Sequence, residues 1–169
     1  MTTTLITAYK ATMSQWASGV ALITTLDQTG QPQGLLISSL ASVSLEPLLV
    51  SFALSQKSGL YPLFCQTSYF AVNILADTQQ SLAENFVGVG TRWQTLVEGA
   101  NWQRGPNTGC PILPQSLGVL ECAVQQRLPL GDHDMFVGHV LAASAPAENI
   151  LQSGALAYFA RQFMPLPKI

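Results

Sequence analysis

Charge is what this chain has least of. Lys, Arg, Asp and Glu together make up 9% of its 169 residues, against roughly 25% in an ordinary soluble domain. The apolar share, 48%, is unremarked by comparison, so the expectation is a surface partly covered by a partner. Seven Lys and Arg stand against nine Asp and Glu, with no basic run among them. The electrostatic footprint that nucleic acid demands is therefore missing, and that function class is excluded. Long apolar runs are missing as well: "LLV" and "LGVL" fall far short of the ~20 residues of a membrane-spanning helix. "MTTTLITAYK" lacks the basic-then-apolar order of a signal peptide, so a soluble, cytoplasmic chain without membrane contact is expected. Cys65, Cys110 and Cys122 form an odd, widely spaced set without C-x-x-C. That fits neither a disulfide framework nor a zinc site, and the three read as reduced core fillers. No internal repeat, low-complexity tract or linker interrupts the sequence, which predicts a single domain over 1–169.

What is present is a succession of short β patterns. Leu5, Tyr9, Met13, Trp16 and Val20 recur at steps of three and four, which predicts a packing helix over 5–20 that stops at Gly19. "VALITTL" and "GLLISSL" flank "DQTGQPQ", where Gly30 and Pro32 mark the turn of a hairpin. "LLVSFAL" (48–54) and "SYFAVNIL" (68–75) read as two further strands, with a stretch between them that is helical at most. "DTQQSLAENF" (77–86) begins with Asp77 and Gln80 in capping-box spacing, which predicts a short helix. Residues 87–115 are rich in Gly, Pro and Asn and show no period, so they read as one long loop; loops of such length are usually functional. "SLGVLECAVQQRL" (116–128) and "DMFVGHVLAAS" (134–144) then form two long strands, and "ALAYFARQF" (155–163) a last one. Six or seven strands, mostly hairpin-linked, with helices at the start and middle, predict an antiparallel β-barrel with added helices.

Chemistry-bearing residues gather in three places. "PLGDHDMFVGHV" (129–140) sets His133 between two aspartates where a turn gives way to a strand. His133 and His139 are six residues apart, about 20 Å if extended, whereas two ligands of one ion lie within roughly 4 Å of each other. They cannot share a metal, and no metal is expected. "LISSLASVSLEP" (36–47) packs hydroxyls into an uncharged run, a composition suited either to an edge strand or to the polar rim of a planar ligand such as a flavin. "LSQKSGLYP" (54–62) places Lys57 and Ser58 before an expected helix start, where an anion such as phosphate is favoured. There is no G-x-S-x-G elbow for a hydrolase, and "GVGTRW" lacks the third glycine and the βαβ setting of a dinucleotide fingerprint.

Taken in order, "ATMSQWASGVALITT", "GQPQGLLISSLASVSLEPLLVSFAL", "KSGLY", "YFAVNILADTQQSLAENF", "GVLECAVQQRLPLGDHDMFVGHV" and "LAYFARQF" resemble the flavin reductase-like, FMN-binding split-barrel family. That family includes the small reductase components of two-component monooxygenases. The resemblance covers nearly the whole chain. It implies a homodimer of antiparallel split β-barrels of Greek-key type, each holding FMN or FAD near the subunit interface. It also implies an NAD(P)H:flavin oxidoreductase that transfers hydride from nicotinamide to flavin and supplies a partner oxygenase or other acceptor.

Matched position by position, the resemblance implies that Ser38, Ser39, Ser42, Val43 and Ser44 border the isoalloxazine and ribityl chain. Ser55, Lys57 and Ser58 would face the phosphate, while Ala71, Val72 and Asn73 would line the other side of the ring. His133 would position the nicotinamide beside the flavin, with Tyr158 and Arg161 helping to hold the dinucleotide. Few basic residues make NADH the slightly preferred donor over NADPH. The competing reading is an electron carrier that holds FMN without oxidising NAD(P)H efficiently; a pyridoxamine-phosphate-oxidase-like barrel ranks lower, since it wants more basic residues than Lys57.

Overall fold

A computed structural model of the chain describes residues 3–86, 101–145, 150 and 152–168. Its framework is a seven-stranded sheet in the order β3-β2-β6-β9-β10-β5-β4. The strands are β2 (Ala21–Leu26), β3 (Pro32–Ile37), β4 (Ala41–Leu45), β5 (Leu48–Ser55), β6 (Tyr69–Ile74), β9 (Gly118–Leu130) and β10 (His133–Ser144). Every neighbouring pair is antiparallel. The mainly β, antiparallel class expected from the alternation is therefore what the fold has. Among the described residues no ladder joins the edge strands β3 and β4, so the expected closure into a barrel is not part of the observed pairing.

Two smaller sheets complete the β structure. One comprises β1 (Ser18–Gly19), β11 (Ala155–Phe159) and β12 (Gln162–Leu166), the other β7 (Gln103–Arg104) and β8 (Pro111–Ile112). Val20 couples the first to the main sheet: its N–H donates to Leu156 O and its carbonyl accepts from Leu75 N–H, both at 3.1 Å.

Two apolar clusters hold these layers together. One centres on Phe52, Phe64, Phe70 and Phe136, with Phe52 stacked on Phe136 at 5.3 Å and edge-on to Phe70 at 5.3 Å. Gly138 makes room for them, since a Cβ there would sit 2.3 Å from Phe70 Cζ. The other joins Val20, Leu22, Leu75, Ala83, Leu113 and Leu156.

Several expectations are corrected. The first helix, α1 (Thr3–Met13), ends well before Gly19, where Ser14 Oγ donates to Ala11 O and i−3 bonds replace the helical ones at Gln15 and Trp16. Its stripe does not pack: Leu5, Tyr9, Met13 and Trp16 are exposed, and Val20 is buried as a sheet residue. The helix after β6 is α3 (Gln80–Phe86), preceded by a 3₁₀ turn at Asp77–Gln79. Only one half of a capping box forms, one residue earlier than expected: Ala76 N–H donates to Gln79 Oε1 at 3.0 Å, and the alanine side chain offers no acceptor in return. Within the expected loop 87–115, residues 101–112 carry the β7–β8 hairpin; positions 87–100 lie outside the described residues. The tail 155–163 is two strands, because Ala160 and Arg161 take positive φ of 50° and 65° and turn the chain back, as a type I′ turn does.

Candidate functional site

The site is assembled by the end of the β9–β10 hairpin and the loop that leaves β5. Gly131, at φ 66°, opens a two-residue turn between the paired residues Leu130 and His133. Only glycine reaches that conformation without steric cost. His133 also pairs with Ser55 on β5, so their side chains are cross-strand neighbours on one face. Gln56 N–H donates to Asp132 O at 3.0 Å, which stitches the two loops together. The Asp132 carboxylate lies 2.8 Å from His133 Nδ1. That hydrogen bond and the charge of His133, with Lys57 nearby, hold the Asp132 carboxyl below its ordinary range.

The serines follow the edge of the sheet. Ser42 pairs with Val50, and Ser44 with Leu49, around a register shift at Val43. Ser39 Oγ accepts from Ala53 N–H at 3.0 Å and donates to Ala53 O at 3.3 Å. Ser42, opposite buried Val50, lies on the other face from Ser44, which stands opposite Leu49. From Leu49 to Ser55 the strand advances about 20 Å at ~3.3 Å per residue along one face, so the track runs from Ser44 to Ser55, Lys57 and Ser58. Ser44 Oγ, Ser55 Oγ and Ser58 Oγ each accept a backbone N–H, from Glu46, Lys57 and Leu60. A hydroxyl that accepts in this way is oriented and keeps its own proton to donate. The Ser39 hydroxyl, by contrast, is taken up in both directions.

The expected helix start behind Ser58 is slight: α2 spans only Tyr61–Phe64. Attraction for an anion therefore rests on the exposed Lys57 ammonium and the hydroxyls, not on a helix dipole, which needs a longer run of aligned peptides.

Ser38 leads to a second element. It lines a cavity of about 230 Å³ together with Val20, Leu36, Ile37, Tyr158 and Phe163. Tyr158 and Ser38 are thus brought together, while Arg161 stands exposed at the tip of the β11–β12 turn. Ala71, Val72 and Asn73 are not brought to this surface, all three being fully buried in β6. Asn73 is committed to the interior: its Nδ2 donates to Leu22 O at 3.2 Å, and its Oδ1 accepts from Leu113 N–H at 2.7 Å.

The sequence reading missed the carboxylate beneath the site. Asp134 has a fully enclosed side chain, accepting from Gln56 Nε2 at 2.8 Å and from Tyr61 Oη at 2.8 Å. Arg127 Nε lies 3.4 Å from the same Oδ2. The Gln56 hydrogen bond, with those of Tyr61 and the Arg127 charge, holds the Asp134 carboxyl below its ordinary range although burial pushes the other way. In turn the bond to Asp134 pushes the Tyr61 hydroxyl up to about 12. One signal was available: Asp134 shares the alternation of Phe136 and Gly138, so a scarce charge stood on the apolar side of a strand.

A second buried carboxylate, Glu121 on β9, accepts from the N–H groups and side chains of Asn107 and Thr108 at 2.8–3.0 Å. It anchors the β7–β8 hairpin. Burial pushes its carboxyl up, and those hydrogen bonds outweigh it, leaving it below its ordinary value.

Known proteins share this fold and sequence pattern. The structure of BorF, the flavin reductase component of a bacterial two-component tryptophan halogenase, superimposes with a TM-score of 0.83 at 28% identity, covering 97% of this chain and 99% of that one. The chain belongs to the flavin reductase like domain family, whose pattern it matches over residues 13–167. It is 32% identical over 163 residues to the FMN reductase (NADH) RutF 2 of Methylorubrum extorquens strain PA1, covering 95% of this chain and 90% of that protein. It is also 31% identical over 153 residues to the stachydrine N-demethylase reductase subunit Stc3 of Rhizobium meliloti strain 1021, covering 90% of this chain and 65% of that protein. A further relative from that strain is about twice its length, the chain spanning 48% of it. Among the described residues no helix is long and apolar enough to cross a membrane.

Proposed function

We propose that the chain is an NADH-dependent flavin reductase, binding FMN, or FAD, and serving a partner oxygenase or another acceptor. The observation that carries this reading is the track of oriented hydroxyls from Ser44 that ends at Lys57 and at Ser55, the strand partner of His133. Its donor set fits the flavin: neutral hydroxyls for a ring and ribityl chain, then one cation with Ser55 and Ser58 for a phosphate. When bound, the flavin supplies the redox chemistry, taking electrons from the nicotinamide and giving them up to the acceptor.

The chain's own residues bind and orient. Ser38, Ser42, Val43 and Ser44 border the ring and ribityl chain, and Ser39 braces that segment against β5. Ser55, Lys57 and Ser58 hold the phosphate. Ala71, Val72 and Asn73 support the pocket from inside, because their enclosed side chains reach no ligand directly. His133 positions the nicotinamide, its ring held by Asp132, and Tyr158 and Arg161 hold the rest of the dinucleotide.

The reading includes a split barrel of Greek-key type, one flavin reductase-like domain over 1–169, a cytoplasmic setting and a homodimer. Exposed Leu45 (83%), Trp16 (72%) and Tyr9 (65%) support the dimer, since soluble monomers seldom leave large apolar surface uncovered. So does the cavity at Ser38, whose 230 Å³ is below the ~300–1,000 Å³ of finished ligand pockets. The free cysteines suit a reducing compartment.

The test is to mix the protein anaerobically with stoichiometric FMN and then NADH, following bleaching of the flavin's visible absorption against a no-protein control. Rapid bleaching is the expected outcome. Flavin that binds but stays yellow with both NADH and NADPH would instead identify an electron carrier.

A further inference from the structure

We infer that Asp134 is a positioning residue for flavin phosphate recognition, acting through Gln56 on the loop that carries Ser55, Lys57 and Ser58. This rests on the flavin-binding reading above and goes further, naming the group that sets the shape of the phosphate loop.

A carboxylate with no exposed side-chain surface is expensive unless paired and hydrogen-bonded. Its donors come from three separate elements: Gln56 in the loop after β5, Tyr61 at the first position of α2, and Arg127 on β9. Gln56 is the informative one. It is an exposed residue by location, yet its amide reaches inward to Asp134 Oδ1 at 2.8 Å, while its backbone N–H is held by Asp132 O at 3.0 Å. The residue is thus gripped from both sides of the β10 start. Of its chain neighbours, Ser55 pairs with His133, and the Lys57 charge helps lower the Asp132 carboxyl. Within the loop, Lys57 N–H donates to Ser55 Oγ and Ser58 N–H to Ser55 O, so a rotation at Gln56 would move the cation and both hydroxyls together. Tyr61 repeats the restraint at the far end: its N–H donates to Ser58 O and its hydroxyl to Asp134 Oδ2. One carboxylate therefore holds both ends of the 55–61 loop against the strand that begins with His133.

The chemistry that separates positioning from simple stability is the phosphate itself. FMN and riboflavin share the ring and ribityl chain and differ only in that group. The experiment is an equilibrium titration of the full chain with FMN and with riboflavin, for the unaltered protein, Gln56→Ala, Asp134→Asn and Tyr61→Phe, with thermal unfolding measured on each. The unaltered protein is expected to prefer FMN by tenfold or more. Gln56→Ala and Asp134→Asn should cut that preference at least fivefold through the FMN Kd, the riboflavin Kd staying within twofold, with Tyr61→Phe intermediate. Should Asp134→Asn fail to fold, Gln56→Ala, at an exposed loop position, decides the matter. Preference retained in a folded Gln56→Ala, or equal loss for both flavins, would overturn the positioning role and leave the flavin reading standing. An unaltered protein that binds both flavins equally, or neither, would remove the phosphate reading of the loop and this inference with it.

Discussion

Asp132 and Asp134 flank the same histidine, and the fold uses them in opposite ways. Asp132 is 81% exposed and meets His133 Nδ1 at the rim of the turn. Asp134, two residues on, is fully enclosed and gathers donors from three elements. One turn thus uses its two carboxylates differently: the outer one meets the His133 imidazole, while the inner one holds Gln56 and Tyr61 in the segment after β5. An exposed ion pair contributes little because water screens it, whereas a buried carboxylate deprived of its partners is costly. Position along the strand, not residue type, sets the difference.

Substitution should separate the two carboxylates. Asp134→Ala should lower the melting temperature by roughly 10 °C, since a buried, ion-paired network is lost, while Asp132→Ala should shift it by about 1 °C or less, as at other exposed sites. Differential scanning calorimetry on the two variants checks this; equal shifts would erase the distinction. On the ligand side, His133→Ala should reduce kcat/KM for NADH about tenfold or more and leave the FMN Kd within about twofold. Steady-state kinetics beside a flavin titration would show it, and parallel loss of flavin binding would make the histidine purely structural.

The smallest expected effect is in pH dependence. Asp134 and Glu121 have carboxyls held below their ordinary values of 3.8 and 4.5, so the unfolded chain binds protons more readily than the folded one. Their stabilisation is complete above those ordinary values and is lost as pH falls through the lower, folded ones. Melting temperature should therefore change little through these two groups between about pH 7 and 5 and decline below about pH 4. Asp134→Asn should show a shallower decline over that acid range.

Legibility differed between regions for physical reasons. The hairpins were readable because alternation and turn residues are local, as in Asp27, whose carboxylate accepts from Thr29 and Gln31 just ahead of Gly30. The first helix was overextended because a step of three or four persists through Trp16 and Val20, although the hydrogen bonds end sooner and the two residues have opposite fates. The tail read as one strand because neither Ala160 nor Arg161 announces a left-handed turn. Of the proposed site, the serine run, Lys57 and His133 could be picked out from their types and order. Asp134 could not, since its meaning depends on Gln56, Tyr61 and Arg127, which reach it from residues 73 and 78 positions away in chain number and from across the β9–β10 hairpin.

By itself the sequence determined the antiparallel β character, the hairpin that carries His133 and the order of the flavin-family segments, because alternation, glycine turns and motif order are written along the chain. Only the tertiary structure decided which hydroxyls remain open to a ligand, that Asn73 is spent in the interior, that the stripe of α1 is left uncovered, and that one buried carboxylate governs the loop beside His133. Those outcomes depend on strand register and on desolvation, and both arise only when distant segments pack.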